Sequence, residues 1–394
     1  NRYIQEPCIM DGQRHLDAVD PEKGEAVSAQ NAAPTLELGL SLTALWVGYY
    51  RMREVEQKTP LFYDPVAKAI MGEDDARWAF QRMQETLEDS WLMSKAAYAR
   101  SEANFFPVRT RFIDDHIGRS LEAQILCAQS TSGGKPPRQL QVVDMACGFD
   151  GRAFRLDFPT NTLFFEVDRE EVMALKKNRL SQIRPPDLTC ARRVCISADI
   201  ITDKWETALF DNGFDPALPT VWIMEGILTY LPLPVAKALL ARVRAISAPG
   251  SSLVCDVVNA AIKYATPMKK RMRFLRDEGA EYNLFISDPI AFWTNAGFSQ
   301  IRYHFPGDND ASYGRIPPHP FLQVMRIVIR FVIAVLYLGA GFLSGFFLPI
   351  WAGIIVLVGS IVLCEGWALL FQEWLARRLT LFFFPLAYFT EVFV

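Results

Sequence analysis

From residue 139 to 305, short apolar runs alternate with stretches of helical periodicity, and this alternation restricts the fold more than any other feature. The runs at 141–146, 163–167, 194–197, 221–224 and 252–258 are four to seven residues long. They carry little of the polar alternation that marks a sheet with one wet face, so both faces are expected to be covered. A helix is predicted at about 169–181, and a second, started by proline, at 235–246. Ala248-Pro249-Gly250 then turns the chain into the fifth run. Residues 290–296 and 300–305 read as a last helix and strand. Strands and helices in this order build βαβ units, and βαβ units build an α/β fold with an open parallel sheet.

The preceding segment has a different texture. Leu38, Leu42, Leu45, Tyr49 and Met52 recur every three to four residues and predict a helix over 36–57. Thr59-Pro60 breaks it, and Asp64-Pro65 opens a short second helix. Residues 76–99 form a long amphipathic stretch expected to end at a turn over 104–107, and 109–128 predict a further helix. A Ser/Gly/Pro linker covers 130–137. The expected organisation is an extended leader at 1–34, an N-terminal helical cap at 35–138 and the α/β domain at 139–320. The chain begins at Asn1 rather than methionine, which fits either a removed targeting segment or an incomplete start.

Composition narrows the function classes. The net charge is −3, from 41 basic and 44 acidic residues, with no clustered basic face to hold nucleic acid. Seven cysteines, an odd number, are scattered without a CxxC pair, and the four histidines form no ligand motif. Neither a disulfide framework nor a metal site is expected, and a reducing compartment fits best.

Near the C-terminus, residues 331–364 contain no charged side chain. The run is too long for one helix across a hydrocarbon core about 30 Å thick, which takes roughly 20 residues. Pro349, preceded by Gly339, Gly341 and Gly345, offers a break. Two transmembrane spans are therefore expected, at about 324–346 and 350–371, with the lipid bilayer as partner through 324–371. Arg326, Arg330, Arg377 and Arg378 flank the pair at one end, which places the globular domain on the non-translocated side. Residues 379–394 are too short to span and are expected to lie at the interface or to pack on a partner, such as another membrane-protein subunit. A buried helical hairpin is the alternative for the apolar run. Which membrane is involved, an organelle's among them, stays open.

In an open α/β sheet, ligands bind beyond the carboxyl ends of the strands. The first run ends in Asp144-Met145-Ala146-Cys147-Gly148-Phe149-Asp150, where small residues let backbone approach a ligand closely. The second ends in Phe165-Glu166-Val167-Asp168, about 20 residues after Gly148, the distance at which a carboxylate can accept from two ribose hydroxyls. Asp168 could equally cap the following helix. Asp199, past the third run, could meet an adenine amino group or be a turn aspartate. Glu225-Gly226 closes the fourth run, and its carboxylate would face a cofactor or solvent.

These motifs resemble the leucine carboxyl methyltransferase family, with its bacterial and polyketide-tailoring O-methyltransferase relatives. The resemblance runs from about Ser41 to Phe305. It is carried by Ser41-Leu42-Thr43-Ala44, Pro60-Leu61-Phe62-Tyr63-Asp64-Pro65-Val66-Ala67 and Arg109-Thr110-Arg111-Phe112-Ile113-Asp114-Asp115. Gly148-Phe149-Asp150-Gly151-Arg152-Ala153-Phe154-Arg155-Leu156, Phe165-Glu166-Val167-Asp168 and Glu225-Gly226-Ile227-Leu228-Thr229-Tyr230-Leu231 follow in the same order. It implies a Rossmann-like class I methyltransferase sheet with S-adenosylmethionine as cofactor. It also implies roles: Arg109 on the cofactor's carboxylate, Gly148 at close approach, Asp168 on the ribose, Asp199 near the adenine, Glu225 beside the methionine amino group and Tyr230 packed beneath the site. A carboxylate acceptor needs no base. A hydroxyl acceptor would want one, and no catalytic residue can be named from the sequence.

The chain departs from the family pattern in two places. Ala146-Cys147-Gly148 stands where Gly-Ala-Gly is usual, and a positive φ at Ala146 would cost about 1–2 kcal/mol. Asp168 is followed by Arg169-Glu170 without the common proline. Two functional readings result: an active membrane-anchored O-methyltransferase, or a catalytically silent accessory subunit of a multi-subunit membrane complex. A dinucleotide-dependent oxidoreductase on the same sheet is disfavoured by the single glycine.

Overall fold

Strands β1 (Leu140–Met145), β2 (Thr162–Asp168), β4 (Thr220–Met224) and β5 (Ser252–Val258) are nearly continuous in apolar residues because both of their faces are buried. β3 (Arg192–Ser197) alternates between exposed and buried positions, as suits an edge strand. With β6 (Ser299–His304) and β7 (Ala387–Phe393) they form one sheet of order β3-β2-β1-β4-β5-β7-β6. β1 to β5 pair in parallel. β7 runs antiparallel to both β5 and β6, so β6 points the same way as the first five strands. Strand order reverses direction between β1 and β4, the switch point at which open α/β sheets bind ligands. The fold is a Rossmann-like α/β sheet, seen here in a computed structural model that describes residues 42–86, 95–131, 133–264, 268–316 and 387–394. The expected leader at 1–34 and the expected spans within 324–371 lie outside the described residues. Among the described residues no helix is long and apolar enough to cross a membrane.

Helices cover both faces. On one, α1 (Leu42–Val55), α2 (Ala67–Met71), α3 (Glu73–Glu85) and α4 (Lys95–Thr131) share a core with β1, β4 and β5, in which Leu45, Ile70, Met83, Phe112 and Ile117 meet Val142, Ile223 and Val254. The cap is thus continuous with the sheet's own core. On the other face, α6 (Trp205–Asp211), α7 (Leu233–Ala245) and α9 (Pro289–Asn295) enclose Trp205, Trp222 and Trp293, all fully buried. α5 (Glu170–Ser181) follows β2, and α8 (Met268–Asp277) follows β5.

Two expectations are corrected. The predicted turn over 104–107 does not form: α4 runs for 37 residues with Pro107 inside it. A proline removes one backbone hydrogen bond. Here Phe106 stacks on Tyr50 before it, and Val108, Phe112 and Ile113 continue the buried face after it, which holds the helix on course. The second correction concerns the C-terminus. Residues 387–393 are not an interfacial tail but β7, inserted between β5 and β6. Phe389 packs between Phe105 and Phe112, and Val392 points into the opposite core, the two-residue periodicity of a strand buried on both faces. Glu391 is buried because His116 Nδ1 meets its carboxylate at 3.1 Å and Arg119 also pairs with it. Burial would raise this carboxyl, but His116 and Arg119 draw it down to about 2. The sheet of the α/β domain assigned to 139–320 is therefore completed by a strand that follows β6 after 82 intervening residues.

Candidate active site

Beyond the carboxyl ends of the strands lies a cavity of about 790 Å³. Arg109, Gly148, Asp168, Asp199 and Glu225, the five residues singled out from the sequence, all line it. β1 delivers the turn Ala146-Cys147-Gly148, β2 delivers Asp168, β3 Asp199 and β4 Glu225, while α4 carries Arg109 across from the cap. Tyr230 also lines the cavity rather than lying beneath it, its ring 5.5 Å from that of Tyr282.

Asp168 ties two strand ends together. Its Oδ2 accepts from the Gly148 amide at 2.7 Å and its Oδ1 from the Arg169 amide at 2.8 Å. Burial pushes its carboxyl above the ordinary range, and those two amides oppose the rise. Each oxygen keeps a lone pair for a ribose hydroxyl. Gly148 has φ +50, and so does its neighbour two residues back: Ala146 sits at φ +56. The alanine thus adopts the left-handed conformation that a glycine would take without strain. Ala146→Gly should relieve about 1–2 kcal/mol of strain, less about 0.5–1 kcal/mol for glycine's greater chain entropy. A net gain of roughly 0.5–1 kcal/mol in urea-induced unfolding is expected, and a loss of stability would contradict this account of the turn.

Asp199 is both a turn aspartate and a wall of the cavity. Its Oδ1 accepts from the Ile201 and Thr202 amides at 2.7 and 3.2 Å.

Glu225 is the centre of a buried charge cluster. Arg109 donates to its Oε1 from Nε at 3.2 Å, with Nη2 3.1 Å from the same oxygen in an ion pair, while Arg51 and Arg152 meet its Oε2 at 2.9 and 2.8 Å. Burial alone would raise the Glu225 carboxyl, but Arg51, Arg152 and Arg109 together pull it down to about 2. The carboxylate that was expected beside the methionine amino group is therefore first a partner of three guanidinium groups. Arg109 is held from its other side by Asp256 Oδ2 at 3.0 Å, and Asp256 Oδ1 accepts from the Gly226 amide at 2.6 Å. Gly226 has φ +68, and a Cβ there would stand 3.4 Å from Arg109 Nη1, so a larger residue would both strain the turn and crowd the guanidinium.

Four members of this cluster were not picked out from the sequence: Arg51, Asp150, Arg152 and Asp256. Asp150 and Arg152 sit within the glycine-turn motif, and Arg152 is completely buried between Asp150, Asp114 and Glu225. Arg51 had a legible signal. With Ala44 and Gly48 it forms an i, i+4, i+7 series, a lone charge on an otherwise small-residue face of α1. The carboxyl of Asp144, behind the turn, is raised well above its ordinary range by burial and by neighbouring Asp150.

Toward β5 and α8 the wall carries Phe105, Val258, Ile262, Met268 and Tyr282, with Asp256 and the ion-paired Arg271 and Glu102 among them. The site thus joins a half rich in hydrogen-bonding groups to a half in which apolar and aromatic side chains surround a few charged ones.

Comparison with known proteins shows the family. The leucine carboxyl methyltransferase family matches residues 44–244, just over half of the 394. A Frankia alni protein named for S-adenosyl-L-methionine-dependent methyltransfer is 31% identical over 284 residues, covering 70% of this chain and 88% of its own. A Mycolicibacterium smegmatis protein named for the same chemistry is 33% identical over 239 residues, covering 60% and 69%. Among solved structures, a duf574 family protein from Streptomyces avermitilis aligns over 68% of this chain and 90% of its own, at 13% identity and a TM-score of 0.39. The family match and the Frankia relative, on a sheet whose strand ends converge on one cavity, place the chain in the leucine carboxyl methyltransferase family, as an S-adenosylmethionine-dependent methyltransferase.

Proposed function

We propose that the chain methylates an oxygen, of a carboxylate or a hydroxyl, on a lipophilic acceptor, and that residues 324–371 hold it at a membrane. The observation that carries the reading is the two-part cavity, with acidic and small groups at the β1, β2 and β4 ends and, beyond β5, the aromatic and apolar side chains Phe105, Val258, Ile262, Met268 and Tyr282. When bound, S-adenosylmethionine supplies an activated methyl group. The chain's own residues have the tasks of holding, orienting and excluding water. Asp168 takes the ribose hydroxyls, Gly148 lets the backbone come close, and Asp199 stands where the adenine edge would be read. The apolar wall keeps water from the reacting oxygen, and fixed geometry accounts for most of the rate in a displacement of this kind. A carboxylate acceptor is already ionised at neutral pH and asks no more of the site.

Topology supports the membrane part of the reading. His304 pairs with Phe389 in register, so the chain leaves the sheet after β6 and rejoins it at β7 side by side, with residues 305–386 between. An apolar segment that leaves and returns at one edge must cross a bilayer an even number of times, as two spans do. That edge is also the one on which the cavity opens.

The reading is tested with the full chain reconstituted in phosphatidylcholine vesicles, supplied with methyl-labelled S-adenosylmethionine and a membrane lipid extract. The expected result is co-flotation of the chain with the vesicles, resistant to carbonate, and label in the organic phase. Label released as methanol by mild alkali identifies an ester, and label released only by hydriodic acid an ether. Label bound to nitrogen or carbon would contradict O-methylation, and a chain left in the soluble fraction would contradict the anchor.

A further inference from the structure

We propose that the basic outer face of α8, which carries Lys269, Arg273 and Arg276, docks on an anionic lipid surface and brings the mouth of the cavity onto the bilayer. The inference rests on the membrane part of the reading above and adds to it a contact with lipid headgroups, made by the folded domain itself.

α8 has two unlike faces along its ten residues. Met268, Arg271 and Leu275 are buried, and Phe274 stacks on Trp46 of α1 with ring centroids 6.4 Å apart. Arg271 belongs to this inner face, since its guanidinium pairs with Glu102 and its Nε donates to Thr86 Oγ1 at 3.1 Å. Lys269, Arg273 and Arg276 follow one another at i, i+4 and i+7 and are all exposed, the spacing of a single outward stripe. Lys270 flanks it half-buried, and Lys263, exposed just before the helix, stands 4.0 Å over the Phe285 ring.

The stripe contributes little to the fold. Among the described residues Lys269 and Arg273 pair with no acid, and Arg276 meets only its neighbour Asp277, at 3.5 Å. Lys269 and Lys270 stand in the first turn, where the macrodipole disfavours cations and no acidic residue offsets them. Asp277, Glu278 and Glu281 lie at the far end of the helix or beyond it. A basic stripe on an amphipathic helix, with no partner of its own to hold, is the form that binds anionic membrane surfaces.

Location selects lipid over other anions. α8 follows β5 at the carboxyl edge of the sheet, and Met268 and Arg271 line the cavity, so the stripe is the outer side of the cavity wall. The chain leaves β6 at that same edge, and residues 331–364 beyond it carry no charge. Arg326, Arg330, Arg377 and Arg378 flank that run, an order that turns the domain toward the non-translocated leaflet, where anionic lipids concentrate. A lipophilic acceptor in that leaflet would enter the cavity past the wall that α8 builds.

The test is hydrogen exchange, read by mass spectrometry, on the full chain in vesicles of phosphatidylcholine alone or with about one-third phosphatidylserine. Exchange across 268–277 should slow about three- to tenfold on the serine lipid. Sodium chloride at about 1 M should abolish the slowing, because the Debye length falls to about 3 Å. The triple variant Lys269→Gln, Arg273→Gln, Arg276→Gln should lose the slowing too. Its affinity for S-adenosylhomocysteine should stay within about twofold of wild type, which verifies its fold. Equal exchange on the two vesicles, or slowing that the triple variant retains, overturns the proposal. Slowing by heparin and not by the vesicles would assign the stripe to a nucleic-acid or acidic protein partner, and overturns it as well. A chain that does not float with neutral vesicles contradicts the anchor instead. Flotation with the serine-containing vesicles then reads α8 alone: at about fivefold per cation, the triple variant should partition about 100-fold more weakly, and equal partitioning would overturn the stripe.

Discussion

Arg152→Met is expected to lower folding stability by about 3–5 kcal/mol at neutral pH, the range for removing one partner of a buried ion pair. Arg152 has no exposed surface, and its guanidinium meets Asp114 Oδ1 at 2.7 Å, Glu225 Oε2 at 2.8 Å and Asp150. Methionine fills much of the volume but leaves these carboxylates with fewer cations. Arg155 still serves Asp114, and Arg51 and Arg109 still serve Glu225, so the loss stays within that range. The sign of the pH dependence follows from the same contacts. In the wild type, Glu225 titrates at about 2, below its ordinary value of 4.5. Its contribution is present in full above about 4.5 and is lost as pH falls toward 2. In the variant the stranded carboxylates take up protons at higher pH, which favours the folded variant. The gap between the two proteins should therefore narrow from pH 7 to pH 4. Urea unfolding followed by tryptophan fluorescence reads this directly, because Trp205, Trp222 and Trp293 are fully buried. A difference under about 1 kcal/mol at pH 7 would show that the cluster does not hold the strand ends together.

Asp168→Ala should weaken S-adenosylhomocysteine by about two orders of magnitude. Two hydrogen bonds from ribose hydroxyls to a carboxylate contribute about 1.5–3 kcal/mol each, with part offset by water in the truncated site. The variant also frees the Gly148 amide that Asp168 now accepts, so some of the loss comes through the turn. Asp168→Asn separates the two effects: it keeps an acceptor for the Gly148 amide but loses the charge. Its affinity should fall between those of the wild type and the alanine variant. Affinity within threefold of wild type for a folded Asp168→Ala chain would mean that the ribose lies elsewhere.

Much of this architecture can be read from the sequence, for physical reasons. β1, β2, β4 and β5 declare themselves because strands covered on both faces are written mostly in Val, Leu, Ile, Phe and Trp, with few polar breaks. The small and acidic residues at their ends are legible because an open sheet exposes only that edge to a ligand. Two features are not legible in this way. β7 pairs with β6 across 82 intervening residues, and a short apolar segment carrying a glutamate looks like an interfacial tail until His116 and Arg119 are seen to hold that charge. Local sequence carries no record of such a long-range partner. The arginine cluster is hidden for the same reason: Arg51, Arg109 and Arg152 lie on three separate elements and share only Glu225. Pro107, by contrast, misleads locally, since packing before and after it overrides its preference to end a helix.

Ala146 bears on whether the chain could be a silent accessory subunit. The residue adopts φ +56, and the amides around it keep their bonds: Cys147 N donates to Val167 O at 3.2 Å and Gly148 N to Asp168. The turn thus retains its shape despite the lost glycine. The strain is about 1–2 kcal/mol, too little to dismantle the site.

The most direct measurement is a structure of the chain saturated with S-adenosylhomocysteine. The ribose hydroxyls should lie within hydrogen-bonding distance of Asp168, with the adenine edge near Asp199 and the amino-acid end turned toward Arg109 and Glu225. Ligand bound outside this cavity, or side chains closing over the space between Gly148 and Glu225, would contradict the account.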